Sequence, residues 1–335
     1  MPATLTGDMS QFYQSLRQSS AIKTRLNTLA QELSSGRVAD VSTRVRGDVA
    51  PLALMDRDLS VLDGFIQTGT ELARTLSQKQ IVLSALEAEQ TSLGAQLIKI
   101  TPSASLPELQ SAEAAGRAGF DRAVGLLNTR IGERSLFAGA SVDATPLAAA
   151  DTMIADILAA IGGATDAQTI SAAIDDWFDD PAGGFATMGY GGDTGAVVAQ
   201  RIGPTEVVHV DGRADDPGLR GVLKATARAA VSDALSEIIG KAERTALVRE
   251  GGDMTISAAD GLRQVAARIG DAEQRIEEIT TRHFAQRTAI AQSRNGIVVA
   301  DPFDTASLLQ SVQQQLELHY TATARLSRMS LASYL

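Results

Sequence analysis

The chain has 335 residues, a formal net charge of −10 and 44% apolar residues, but only 4% aromatic residues and no cysteine. The acidic balance and the lack of any lysine/arginine cluster exclude the basic face that nucleic-acid binding requires. No apolar run approaches the ~20 residues that cross a bilayer, and the missing cysteines exclude disulfides and thiol chemistry.

A first amphipathic helix is predicted over residues 1–33. Positions 9, 12, 16, 19, 23, 26, 30 and 33 alternate steps of three and four, and six of them are apolar: Met9, Phe12, Leu16, Leu26, Ala30 and Leu33. This spacing predicts a narrow seam of the coiled-coil type. Gly36 ends the helix, because glycine readily takes the left-handed conformation that closes a helix. Residues 37–50 are a polar connector without clear periodicity.

Two further helices are predicted to form an antiparallel hairpin. The first starts at Pro51, which a first helical turn tolerates, and is broken at Pro102. Its apolar residues keep steps of three and four: Leu52, Met55, Leu59, Leu62, Ile66, Ala73, Leu76 and Leu83, then Leu86, Leu93 and Leu97 after a phase slip. The second helix of the hairpin is predicted over residues 106–131.

The pattern changes near residue 140. Two alanine-rich helices are predicted near 151–161 and 166–178, followed by a glycine-dense segment through Gly195. Short strands are predicted at 197–198 and 207–210, with Gly203-Pro204 as the turn between them. Helical periodicity returns at Leu219 and continues toward Asn295, and a closing helix follows Asp301-Pro302.

The predicted fold is therefore mainly α, a long antiparallel helical bundle or coiled coil formed by the N- and C-terminal arms, with a small α+β domain inserted in the middle. The predicted divisions are an N-terminal assembly segment (1–45), a helical hairpin (46–139), the mixed insert (140–217), returning helices (218–300) and a C-terminal assembly segment (301–335). Both ends of the chain are helical and amphipathic.

No catalytic, cofactor or metal site is predicted. The three histidines, His209, His283 and His319, have no second ligand at metal-binding spacing, and the last two fall on or beside helix seams. The glycine-rich segment 189–195 lacks a phosphate-binding lysine and a helix opening after it. The acidic segment 175–180 is interpreted as a solvated face at a helix end, with Trp177 and Phe178 packing inward.

The order of these elements resembles the flagellin superfamily, from a seam-bearing first helix closed by Ser-Ser-Gly-Arg (34–37) to a returning C-terminal helix. Three stretches are similar to the hook-associated protein 3 family: IGERSLFAG at 131–139, YGGD at 190–193 with the strands that follow it, and the closing LSRMSLASYL at 326–335. Residues 41–51 depart from the Asp- and Ala-rich pattern of flagellins.

This resemblance implies a non-enzymatic structural subunit of the bacterial flagellum at the hook–filament junction. It implies partners as well: a hook-side junction protein, flagellin, an export chaperone and further copies of the chain in a ring or helical array. No cofactor, nucleic acid or membrane partner is expected. The resemblance implies an extracellular location and type III export, and the N-terminus has no features of a cleaved signal peptide.

The assembly interface is predicted on the amphipathic seams of the two ends. Its residues are Met9, Phe12, Leu16, Leu26, Leu33, Leu309, Val312, Leu316, Tyr320 and Leu331. We expect the two arms to fold fully only on assembly, against each other and against neighbouring subunits. The alternative is permanent packing of the ends on the chain's own helices.

Three other functions stay open at this stage. The chain could be flagellin itself, the filament subunit. It could be a cytoplasmic coiled-coil scaffold or sensor domain, since amphipathic helices alone do not specify a location. An enzyme hidden in the insert is the third, and it would require a well-formed polar pocket there.

Overall fold

A computed structural model describes the backbone of residues 5–332 and the side chains of residues 9–325 apart from Gln11. The chain forms two compact units. One unit, here called the end unit, combines Met1–Asp63 with Ala285–Leu335, and the other, the middle unit, is Gly64–Phe284. The fold is mainly α with small antiparallel strand pairs, which confirms the predicted fold class.

The helices follow one another with short connections. In chain order they are α1 (Leu5–Ser35), α2 (Val41–Arg44), α3 (Ala50–Leu97), α4 (Leu106–Leu127), α5 (Ala150–Ile161), α6 (Ala167–Asp179), α7 (Pro217–Ala234), α8 (Lys241–Val298) and α9 (Pro302–Ala332). A single π-helical turn spans Phe185–Gly189. The strands pair as two antiparallel hairpins, β1 (Arg130–Ile131) with β2 (Arg134–Ser135), and β3 (Val198–Arg201) with β4 (Val207–Val210).

Local sequence explains where several helices begin. Ser105 caps α4, because its hydroxyl accepts a hydrogen bond from the Glu108 backbone while the Glu108 carboxylate accepts one from the Ser105 backbone. Asp216 caps α7 in a related way and is followed by proline at the first helical turn. At the other end of a helix, Gly36 follows α1 with φ +67°, as the sequence predicts.

The hairpin helix predicted over 106–131 ends four residues early, at Leu127. Asn128 forms its C-cap, and the side-chain amide exchanges two hydrogen bonds with the backbone of Leu147. Ile131 lies instead in β1, before Gly132 at φ +58°. The apolar spacing of Ile131 continued the helical rhythm, but a specific side-chain-to-backbone contact outcompetes it.

Residues 140–217 share one hydrophobic core with the helices of the middle unit. Buried side chains of α5 and α6, such as Ile154 and Ile170, pack in the same cluster as Phe120 of α4, Leu219 of α7 and Leu262 of α8. The segment is therefore part of the packed body of this unit. The core is built largely from aliphatic residues, as the low aromatic content requires.

Glycines allow α4 and α7 to approach closely. A Cβ at Gly116 would lie 2.5 Å from the Ala229 Cβ and 3.0 Å from its carbonyl carbon. Since real Cβ atoms do not approach so closely, any side chain at Gly116 must push α7 away. Further along the same helix, Gly125 faces open space.

A buried ion pair joins α4 to α8. The Glu113 carboxylate is fully buried and accepts hydrogen bonds from the Arg244 guanidinium, one of them at 2.8 Å, and from the Ser232 hydroxyl at 2.7 Å. Arg244 is itself 6% exposed. Removing one charge from such a pair leaves the other without compensation in a poorly solvated place.

The glycine contact can be tested with a matched pair of substitutions in α4. Gly116→Ala should lower the free energy of unfolding by about 1–3 kcal/mol, because the new methyl overlaps Ala229. Gly125→Ala should leave it unchanged or raise it by up to ~1 kcal/mol, because alanine is the better helix former. Chemical denaturation of the full chain measures both. Equal effects from the two substitutions would contradict the close approach.

The buried ion pair predicts a different pattern. Glu113→Gln should destabilise the chain by about 3–5 kcal/mol, because the Arg244 charge stays buried without its partner. The double substitution Glu113→Leu with Arg244→Met should recover most of that loss, since no charge then remains buried. Urea denaturation of the unchanged chain, of Glu113→Gln and of the double variant measures the three free energies of unfolding. A double variant no more stable than Glu113→Gln would show that the loss comes from packing and not from charge.

Candidate assembly interface

Helices α1 and α9 lie side by side within the end unit and run antiparallel. Ser15 of α1 meets His319 of α9 near one end of the pair, and Arg37 pairs with Val299 at the other end. The chain thus brings its two amphipathic ends together along a single contact, which is here called the α1–α9 seam.

One half of the α1–α9 seam is apolar. Ile22 and Leu29 of α1 and Val312 of α9 are buried there. Three half-buried side chains pack against them: Leu26, Leu309 and Leu316. These six residues form a hydrophobic cluster of their own, separate from the cores of the middle unit.

The other half of the seam is polar. The Nε2 atom of His319 lies 3.1 Å from the Ser15 carbonyl oxygen and 3.4 Å from its hydroxyl oxygen. The Thr323 hydroxyl lies 3.4 Å from the same Ser15 hydroxyl. Because a carbonyl oxygen only accepts, the hydrogen bond to it requires a hydrogen on Nε2. On the flank, the Lys23 ammonium sits 5.7 Å from the Tyr320 ring centroid, which is a cation–π contact.

A stripe of apolar side chains on the first half of α1 has no cover. Met9 is 57% exposed, Phe12 62% and Leu16 56%, and Tyr13 beside them is exposed too. Helical geometry places Met9, Phe12 and Leu16 roughly 90° around the helix from the seam. These three residues are called the α1 outer stripe below. Contiguous exposed apolar side chains of this kind are typical of protein–protein contact sites.

The structure distributes the ten predicted interface residues unevenly. Leu26, Leu309, Val312 and Leu316 lie in the α1–α9 seam, whereas the outer stripe, Leu33 and Tyr320 are exposed. The side chain of Leu331 lies outside the described residues. Their common role as an assembly interface stays a prediction.

The sequence pattern predicts four of the six residues in the apolar cluster of the seam and misses Ile22 and Leu29. The predicted heptad passes through positions 16, 23 and 30, but the seam passes one residue earlier, through Ser15, Ile22 and Leu29. Ile22, Leu26 and Leu29 are also spaced by four and three, so the signal was present. The outer stripe has the same spacing, and one periodic signal therefore covered two different faces. On α9, His319 and not Tyr320 continues the seam.

Backbone hydrogen bonds fix the base of the helix pair. The Val38 N–H donates to the Val298 carbonyl at 3.0 Å, and the Ala300 N–H donates to the Gly36 carbonyl at 3.0 Å. These two hydrogen bonds join the connection between α1 and α2 to the connection between α8 and α9. Beside them, Asp40 caps α2, and hydrogen bonds from the Thr43 hydroxyl and backbone lower the pKa of its carboxyl.

An open cleft of about 450 Å³ adjoins these two connections. Carboxylates of Glu32, Asp40, Asp301 and Asp304 line it together with Arg44. Three of these carboxylates already accept backbone hydrogen bonds nearby, at Ala39, Thr43 and Phe303. The cleft therefore holds structural caps and turns, and no group in it is arranged for chemistry.

Two buried titratable groups of the middle unit have lowered pKa values, and each has a structural explanation. Burial lowers the pKa of Lys79 to about 8, and its ammonium donates to the carbonyls of Asp211 and Gly212. Burial also lowers the pKa of His283, which stacks on Phe65. The Lys79 ammonium is thus bound by backbone carbonyls, and the His283 Nδ1 atom has no hydrogen-bond partner among the described residues.

The acidic segment 175–180 is more tightly bound than the sequence suggested. Asp175 accepts a hydrogen bond from the buried Arg228 at 2.6 Å, and Lys224 bridges to Asp179. Trp177 and Phe178 are buried, facing inward. The acidic side chains thus hold α6 to α7, where a purely solvated face was expected.

Within residues 5–332, no helix has both the length and the apolarity that crossing a bilayer requires. In the same part of the chain, no three acidic or histidine side chains gather in a way that could hold a metal ion.

Comparison with known proteins identifies the C-terminal part of the chain. Residues 253–335 match the family model of the bacterial flagellin C-terminal helical region. This match covers residues 253–298, which are most of α8, and all of α9.

Among solved structures, the crystal structure of Bacillus cereus FlgL is similar, with 14% sequence identity and a TM-score of 0.49. The similarity covers 71% of this chain and 96% of that one. No curated protein sequence matches.

The antiparallel seam can be tested in a chain that has no cysteine of its own. Ser15→Cys with Thr323→Cys should form a disulfide readily, because the two hydroxyl oxygens they replace are 3.4 Å apart. Ser15→Cys with Thr321→Cys is the matched control, since Thr321 is exposed and lies two residues before Thr323, roughly 160° around the helix from it. Migration on a non-reducing gel separates the oxidised forms. Equal oxidation of both pairs would contradict the seam.

Proposed function

We propose that this chain, whose residues 253–335 carry the flagellin C-terminal helical region, is the hook-associated adaptor that joins the hook to the filament. The observation that carries the proposal is the α1 outer stripe. It is left uncovered on a helix that is already paired through another face. A helix that is paired through one face and exposes apolar side chains on another can bind a neighbouring subunit through the exposed face.

The mechanism follows from the burial of apolar surface. Burying a Phe, Leu or Met side chain stabilises a contact by about 1.5–3 kcal/mol, so Met9, Phe12 and Leu16 together supply a substantial driving force. If the stripe of one copy meets a different surface of the next, the contacts repeat around a ring or along a helix. Leu33, Tyr320 and Leu331 complete the proposed interface, and the seam residues keep the two helices together.

The partners of this adaptor are proposed on the same basis. A hook-side junction protein would lie on one side of the array, and flagellin would lie on the other. Since a chain with exposed apolar helices needs protection before assembly, an export chaperone is a further proposed partner. The chain would act outside the cell after type III export.

Folding of the arms on assembly stays a prediction. Among the side chains that the structure describes, the apolar cluster of the α1–α9 seam buries Ile22, Leu29 and Val312, which is little apolar area for ordering two helices of 31 residues each. Neighbouring subunits would add the missing area through the outer stripe. The arms should therefore gain order when the array forms.

The outer stripe gives a direct test of the proposal. Phe12→Ser with Leu16→Ser should remove the chain from sheared hook–filament preparations, because the stripe loses two of its three large apolar side chains. Ile81→Ser is the matched control, since Ile81 is 58% exposed on α3 and lies outside the proposed interface. Immunoblots of the preparations measure incorporation. Normal incorporation of the double variant would overturn the proposed interface.

Deletion of the chain separates the candidate functions. Cells that build hooks but release filament monomers into the medium are expected of a missing junction adaptor. Loss of the major filament band would favour flagellin, which the matched family model also describes. Detection of the chain only in cell lysate, never in sheared appendages, would favour a cytoplasmic scaffold.

A further inference from the structure

The two halves of the α1–α9 seam differ in the strength of their contacts. From Ile22 onward α1 is held by buried aliphatic side chains, whereas around Ser15 it is held by small hydroxyls and one imidazole. Hydrogen bonds between neutral groups near the surface add little net stability, because water competes for the same partners. As far as the described side chains show, the first half of α1 is therefore the weakly held half.

The polar residues occupy true seam positions. Leu309, Val312, Leu316, His319 and Thr323 succeed one another by steps of three and four along α9. The first three pack in the apolar cluster, and the last two meet Ser15. A leucine at position 319 would continue the apolar series, so the polar side chain there is a departure from what maximal pairing of the helices would require.

The weak half of α1 coincides with its outer stripe. Met9, Phe12 and Leu16 belong to the same stretch of α1 as Ser15 and lie on an adjacent face of the helix. Over this stretch the large apolar side chains are exposed and do not lie in the seam. The second half of α1 shows the reverse arrangement, with Ile22 and Leu29 buried against α9.

We propose that Ser15, His319 and Thr323 form a polar layer that keeps the first half of α1 releasable in the free chain, so that its outer stripe can adjust to a neighbour. His319 is the positioning residue of this layer. It holds α1 through one hydrogen bond to the Ser15 carbonyl, and that bond can be exchanged for water without exposing a buried apolar surface. This proposal rests on the assembly role proposed above.

Two substitutions at position 319 distinguish the layer from a general packing role. His319→Leu replaces the imidazole with the residue that the apolar series favours. It should close the seam, raise the protection of backbone amides 9–19 against hydrogen exchange in the purified full-length monomer by roughly tenfold or more, and reduce incorporation into hook–filament preparations. His319→Gln keeps an N–H donor in place of Nε2 and should behave as the unchanged chain does in both measurements.

Each outcome is decisive. Unchanged amide protection in His319→Leu would overturn the proposal, because the polar layer would then not weaken the seam. Raised protection with normal incorporation would overturn it too, since release of α1 would not matter for assembly. Failure of His319→Gln to match the unchanged chain would also overturn it, because the imidazole would then act through its shape and not through the hydrogen bond to Ser15. Absence of the unchanged chain itself from the preparations would instead refute the proposed function, and the amide measurement would still report on the layer.

Discussion

The antiparallel contact between the first and last helices is the constraint on which the end unit depends. It joins residues about 300 positions apart in sequence, such as Ser15 and His319, and it is set at its base by two backbone hydrogen bonds between 36–38 and 298–300. Closing so long a loop costs conformational entropy that few contacts repay. The long continuous helices α3 and α8 reduce that cost, because they order much of the intervening chain through the core of the middle unit.

The two units also differ in charge. Residues 64–284 contain 30 acidic and 19 basic side chains, whereas the two end segments together contain 10 acidic and 11 basic ones. The net charge of −10 therefore resides in the middle unit. A nearly neutral end unit can pack against copies of itself without strong repulsion, while an acidic middle unit favours solubility. Electrostatics thus allows close packing of the ends, and apolar contacts must supply its specificity.

The sequence was sufficient for the fold class because long helices with steady spacing are the strongest signal that a sequence carries. Gly36, Pro51 and Pro102 marked helix ends through backbone chemistry that acts locally. The errors arose where a distant contact decided the result. Asn128 stopped α4 by binding Leu147, and Arg228 bound the acidic Asp175 from another helix. Neither of these two contacts can be predicted from the local spacing of apolar residues.

The candidate interface shows a subtler limit. On α1, two sets of residues have helical spacing, and periodicity alone assigns neither set to a partner. The partner is decided by α9, whose Val312 and Leu316 favour Ile22 and Leu29, and whose His319 cannot bury an aliphatic side chain as well as a leucine would. The more conspicuous set, Met9, Phe12 and Leu16, is thereby left outside. Exposed apolar side chains with helical spacing are what a subunit must retain if its folding is to be completed by its neighbours.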